Sequence, residues 1–142
     1  VQLADLKFGG CRFVVAELAG TDAEIAERYR RLGSLRVATK YPNIARAHFA
    51  AAGIQADIVR LNGNIELAPM TGLADRIVDI TATGTTLREN DLVIVDEVLS
   101  STARFFANPS KMRTDARIVE LASALAEHAM RVEYDPIAGG TR

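Results

Sequence analysis

Hydrophobic and polar positions along this chain follow two alternating rhythms. Short apolar, β-branched runs occur at Cys11 to Ala16, Leu35 to Thr39, Ala56 to Leu61, Arg76 to Ile80 and Leu92 to Val98. Runs of this length bounded by turn residues read as strands. Segments of helical period lie between the early ones. Thr21 and Glu24 form a capping-box pair, after which Ile25, Tyr29 and Leu32 share one helix face that Gly33 closes. Pro42 suits the first turn of a second helix through Ala52, with Ile44, Ala45, Phe49 and Ala52 at core spacing and Gly53 as the stop. Asn62-Gly63-Asn64 is turn chemistry, and a short helical piece around Glu66 is interrupted by Pro69 and ends near Gly72. Ala103 to Ala107 reads as a further strand. Thr114 then caps a long helix in which Ile118, Leu121, Ala122, Leu125 and Ala129 make one apolar stripe. Strands alternating with helices predict an α/β fold built on a mainly parallel sheet with crossover helices. Residues 131–142 carry a Gly-Gly pair and no apolar period, and read as a flexible tail.

Composition narrows the partners. With 49% hydrophobic and 25% charged residues, 142 residues bury an ordinary core. Lys and Arg total 17 against 18 Asp and Glu, with no basic run, so no positive field exists to collect nucleic acid. No apolar run approaches the ~20 residues that span a bilayer, and no leader pattern precedes the first strand. A cytoplasmic protein without membrane contact is expected. The one cysteine, Cys11, forms no intramolecular disulfide and reads as a small buried strand residue rather than a reactive thiol.

Candidate chemistry concentrates in one segment. Thr81 to Thr86 packs four threonines and Gly84 into six residues, directly after a strand and before a short helical turn. A phosphate monoester carries nearly two negative charges. Backbone N–H groups at a helix start, hydroxyl donors and a glycine that admits the backbone can hold it. Thr83, Thr85 and Thr86 supply the hydroxyls and Gly84 the clearance. Asp79 repels phosphate, and suits ribose hydroxyls or a Mg²⁺ that prefers carboxylate oxygen. From composition alone, a threonine-rich connector between strands stands equally beside this reading, because the Gly-Lys-Ser/Thr end of a P-loop is missing. Lys40, at the carboxyl end of a strand, reads either as a phosphate contact or as solvated surface. His48 and His128 lack carboxylate or cysteine partners at metal spacing and read as structural or surface residues. Arg28, Arg30 and Arg31 sit among Glu24 and Glu27 and read as a salt-bridged, solvated face.

The residues Glu66, Gly72, Ala74, Ile77, Asp79, Ile80, Thr83, Gly84, Thr86 and Leu87 stand at the spacings of the ATP phosphoribosyltransferase signature. The likeness extends through Arg36 to Pro42, Leu61 to Gly63 and Ser101 to Arg104, so the chain resembles that family over roughly Cys11 to Ala107. The resemblance implies one lobe of a two-lobed, periplasmic-binding-protein-like core. Residues 1–99 would form the phosphoribosyl-diphosphate-binding lobe and residues 100–130 a return segment of the first lobe, whose N-terminal part would lie outside this sequence. It implies transfer of the phosphoribosyl group of phosphoribosyl diphosphate to N1 of ATP adenine, with Mg²⁺ and release of pyrophosphate, the first step of histidine biosynthesis. The alternative is an isolated phosphate-binding lobe without turnover. By the resemblance, Asp79, Thr81, Ala82, Thr83, Gly84, Thr85 and Thr86 would hold phosphoribosyl diphosphate together with Lys40, while Glu66 and Asp79 would be catalytic and face the metal. A homo-oligomer, or a hetero-oligomer with a regulatory subunit resembling histidyl-tRNA synthetase, is the implied assembly.

Overall fold

The structure, a computed structural model, describes residues 1–132. It divides into two compact units: Arg12–Leu99, and Val1–Cys11 taken with the chain from Ser100 onward. The sequence reading grouped residues 1–99, so the N-terminal eleven residues cluster differently. The reason is a strand invisible to that reading, β1 (Gln2–Asp5), which pairs antiparallel with β7 (Arg104–Phe106) through Ala4 and Phe105. Its four residues are too short to show a period.

The unit Arg12–Leu99 is built around β2 (Cys11–Leu18), β3 (Leu35–Thr39), β4 (Ala56–Arg60), β5 (Arg76–Thr81) and β6 (Leu92–Ser101). Their order across the sheet is β4-β3-β5-β2-β6. β3 runs parallel to β4 and to β5, whereas β2 runs antiparallel to β5, with Val14 opposite Asp79 and Val15 opposite Val78. The α/β architecture is as expected, and the antiparallel β2 makes the sheet mixed. Periodicity reports which face a residue takes, not which way its neighbour runs.

Successive strand residues point to opposite faces, so a continuous apolar run is buried twice. On one face Val14, Ala16, Ala38 and Ile77 pack with Ile65, Ala68, Leu87 and Leu92. On the other Phe13, Val15, Val37 and Val78 pack under α1 (Asp22–Leu32) and α2 (Pro42–Ala51) through Ile25, Ala45 and Phe49. Val14, Val15, Val37, Ile77 and Val78 are at most 1% exposed, and each such burial stabilises by roughly 1.5–3 kcal/mol.

Helix boundaries correct the sequence reading at two caps. Thr21 precedes α1, but it makes no side-chain cap; its hydroxyl donates to the Leu18 carbonyl (2.7 Å), closing the preceding turn. Glu24 turns to Arg28 instead (3.6 Å). Gly33 does close α1, in the left-handed region at φ 75°. In the second unit Thr114 is the last residue of an unforeseen helix, α4 (Pro109–Thr114), capped by Asn108, whose side chain accepts from the Ser110 N–H at 2.9 Å. The following long helix, α5 (Ala116–Arg131), is capped by Asp115, which accepts the Arg117 N–H at 3.1 Å. The Asn-Pro pair starts one helix early and an aspartate starts the next. Of the expected stripe, Ala122 and Ala129 are buried and Ile118 and Leu125 half-buried, while Leu121 lies off that face at 50% exposure. Residues 133–142, most of the expected tail, lie outside the described residues, and Arg131 belongs to α5.

Candidate active site

At the carboxyl edge of the sheet, β5 delivers Asp79 and Thr81, and the chain then turns through Ala82, Thr83 and Gly84 into the single-turn helix α3 (Thr85–Glu89). Gly84 takes φ 74°, a left-handed conformation that costs a non-glycine residue free energy. A Cβ there would stand 3.2 Å from Arg88 Nη1 and 3.6 Å from Ile94 Cδ1. The loop holds its own shape. The Gly84 N–H donates to Thr81 Oγ1 at 2.8 Å, and the hydroxyls of Thr83 and Thr85 meet at 2.9 Å. The Thr85 N–H at the start of α3 donates to Thr83 Oγ1 at 3.4 Å, while the next N–H groups of this first turn have no carbonyl four residues back to receive them.

Beside this loop is a groove of about 390 Å³, lined by Glu66, Asp79, Ile80, Thr81, Ala82, Thr83, Thr85, Thr86 and Leu87. Sequence-selected residues from three separate elements meet there, because the 3₁₀ turn Ile65–Leu67 buries Ile65 in the core and turns Glu66 toward the groove. Gly84 is buried beneath the loop. Lys40 lines a neighbouring groove instead, with Tyr41, Pro42 and Arg46, though its charge acts on Asp79.

Asp79 is the electrostatically distinctive group. Burial pushes its carboxyl above the usual carboxylate range, and the charge of Glu66 pushes it further; the Ile80 N–H (2.8 Å) and Lys40 offset only part of this. Two carboxylates acting on each other at a groove wall suit a cation. Among the described residues no set of three or more His, Cys, Asp or Glu side chains converges to cage a metal. Two acidic side chains are nonetheless the donor set Mg²⁺ takes when substrate oxygens and waters complete its octahedron.

Sequence reasoning passed over Arg88. Its guanidinium reaches back under the loop, donating to the Thr83 carbonyl at 3.0 Å and to Thr85 Oγ1 at 3.1 Å. Asn90 braces the other side through the Thr86 carbonyl at 2.9 Å. The available signal was spacing: a basic residue four positions after the loop glycine falls one helical turn beyond it.

A mixed sheet with a hydroxyl-rich loop and a groove at its carboxyl edge defines an α/β lobe of the kind found in two-lobed binding proteins. An ABC transporter periplasmic binding protein from Brucella ovis shares this fold at 12% identity, with a TM-score of 0.55, over 87% of this chain and 40% of that one. The sequence model of ATP phosphoribosyltransferase matches residues 1–127, and the chain belongs to that family. It is 48% identical over 131 residues to an ATP phosphoribosyltransferase of Moorella thermoacetica, covering 90% of this chain and 58% of that protein. It is 34% identical, with a TM-score of 0.74, to a solved ATP phosphoribosyl transferase (HisG:HisZ) complex from Thermotoga maritima, covering 92% of this chain and 62% of that one. The chain thus spans about three fifths of the length of these relatives. Among the described residues, no helix is long and apolar enough to cross a membrane.

Proposed function

We propose that this chain serves in ATP phosphoribosyltransferase activity, transferring the phosphoribosyl group of phosphoribosyl diphosphate to N1 of ATP adenine and releasing pyrophosphate, in the cytoplasm and at the head of histidine biosynthesis. The observation that carries the reading is the groove at the carboxyl edge. Its Thr81 to Thr86 wall supplies hydroxyls and helix-start N–H groups, and its Glu66 and Asp79 wall supplies carboxylates.

In this reading the 5-phosphate of phosphoribosyl diphosphate sits against Thr81, Ala82, Thr83, Gly84, Thr85 and Thr86. Glu66 and Asp79 face the ribose hydroxyls and Mg²⁺, and Lys40 reaches a substrate phosphate. Mg²⁺, when bound, supplies charge to the departing pyrophosphate. The raised proton affinity of the Asp79 carboxyl follows from an incompletely compensated charge, and a cation beside it would restore the carboxylate. Adenine N1 brings its own lone pair, so the protein's part is to position two substrates and stabilise separating charge. Arg88 holds the loop in register from beneath. The compact unit Arg12–Leu99 carries the whole of this groove. Assembly with a regulatory subunit follows from the T. maritima complex by analogy.

Isothermal titration of the protein with phosphoribosyl diphosphate tests the reading. Binding should be saturable and strengthened by Mg²⁺. Absence of binding at millimolar ligand, with and without the metal, sinks it.

A further inference from the structure

Three cations gather at the same sheet edge, one strand further along than the threonine loop. Arg60 ends β4 in register with Thr39, and Thr39 ends β3 in register with Val78. Lys40 directly follows the end of β3 and Asp79 follows Val78 within β5, so this one edge of the sheet carries Arg60, Lys40 and Asp79. The turn after β3 is locked: the Thr39 hydroxyl, fully buried, donates to the Val78 carbonyl at 2.7 Å and accepts the Tyr41 N–H at 2.9 Å. That lock holds Lys40 at the edge. Arg46, one turn into α2, completes a groove of about 560 Å³ with Lys40, Arg60 and Tyr41.

Asp79 offsets part of the Lys40 charge, but among the described residues no carboxylate forms an ion pair with Lys40, Arg46 or Arg60. The ion pairs formed there involve other arginines and His48, and Arg46 makes only a long bond, 3.4 Å, to the Asn43 side chain. α2 begins at Pro42 with no acidic residue in its first turn and no side-chain cap, which adds its partial positive charge to the groove. By contrast Arg28 and Arg36, elsewhere in the same unit, are both spent on Asp75. Three cations around one concavity, none in an ion pair among the described residues, in a chain of net charge −1, mark a local anion site rather than a general basic surface.

We infer that the groove formed by Lys40, Arg46 and Arg60 is an anion subsite for a pyrophosphoryl group, separate from the threonine loop. A monoester of nearly two charges is served by hydroxyls and N–H donors. A pyrophosphoryl group carries roughly three charges spread over two phosphorus centres, and matches three separated cations. The inference deepens the proposed function and rests on it for the source of the group, either the polyphosphate of ATP or the diphosphate of phosphoribosyl diphosphate.

The test is calorimetry on the full chain with inorganic tripolyphosphate, ribose 5-phosphate, ATP and phosphoribosyl diphosphate, using wild type, R46A/R60A and G84V, each checked for folding by circular dichroism. R46A/R60A should lose about tenfold or more in tripolyphosphate affinity while ribose 5-phosphate binding stays within about twofold, and G84V should do the reverse. A parallel loss for ATP alone assigns the groove to the nucleotide; a loss for phosphoribosyl diphosphate alone assigns it to the leaving group. Unchanged tripolyphosphate affinity in folded R46A/R60A overturns the inference, as does wild-type protein that ignores tripolyphosphate. Ribose 5-phosphate that fails to bind wild type refutes the threonine-loop reading instead and leaves the tripolyphosphate result standing.

Discussion

Asp75 and Asp79 lie four residues apart, one just before β5 and one within it, yet their surroundings treat charge in opposite ways. Asp75 is 8% exposed. Burial works to raise its pKa, but Arg36 donates to it from both backbone (2.8 Å) and guanidinium (2.9 Å), Arg28 adds a bond at 3.1 Å, and the carboxyl ends below its ordinary value. Asp79 is half-buried and receives one N–H, a lysine's field and a repelling glutamate, so its carboxyl ends above. At one edge of the strand the chain settles its own charge; at the other it leaves the charge for something else to settle. Groups whose surroundings push their pKa values apart mark the division between scaffold and site.

The largest expected effect breaks the scaffold side. Asp75→Ala should cost roughly 2–4 kcal/mol of stability, because it leaves two partly buried arginines and the Arg36 N–H without their acceptor. Urea unfolding would measure it, and a cost below about 1 kcal/mol would mean the network is ornamental.

Gly84→Val strikes the groove side. A β-branched residue at φ 74° is strained and fills the loop's underside. Phosphoribosyl diphosphate affinity should fall by about 100-fold, equivalent to about 2.7 kcal/mol, while stability falls by only ~1–2 kcal/mol. Equal affinity in calorimetry would reduce the loop to a connector.

Arg88→Ala sharpens the same side, since it removes a brace and leaves the donors facing the groove in place. About tenfold weaker binding is expected, and Arg88→Lys should recover part of it, because lysine keeps the charge and loses the two-pronged geometry. A variant as tight as wild type would remove Arg88 from the site.

The smallest effect carries the clearest sign. Asp79 has a raised folded value, so its burial penalty is absent below the unfolded value of 3.8, develops as pH rises through it, and is complete above the folded value. Asp79→Asn should therefore raise stability at pH 7, by less than about 1 kcal/mol because solvent screens this half-exposed group, while weakening the Mg²⁺-dependent part of substrate binding. Asp75 is the mirror case: its lowered value gives stability that is present above 3.8 and lost as pH falls through the folded value. Acid unfolding curves of the two variants should diverge from wild type on opposite sides of that pH. Parallel curves would erase the contrast.

Much of this was legible in residue order. The apolar runs that became β2 to β6, the Pro42 helix start and the Gly33 stop are local features, because side-chain period and backbone preference act within a few residues. The threonine loop was legible for the same reason, being one contiguous segment. Two caps were misjudged at Thr21 and Thr114, where a hydroxyl had more than one carbonyl or N–H within reach and local order does not decide which it takes. β1 was missed because its partner, β7, lies about a hundred residues away along the chain.

The sequence by itself thus determined most of the elements and the chemical character of the loop, since each depends on neighbours within a helical turn or a strand. Only tertiary structure decided that β2 runs against β5, that Glu66 swings into the groove with Asp79, that Arg88 braces the loop, and that Arg36 rather than a ligand satisfies Asp75. Those outcomes are set by distances between residues far apart along the chain, and a carboxylate's proton affinity depends on which charges the fold brings within a few ångströms of it.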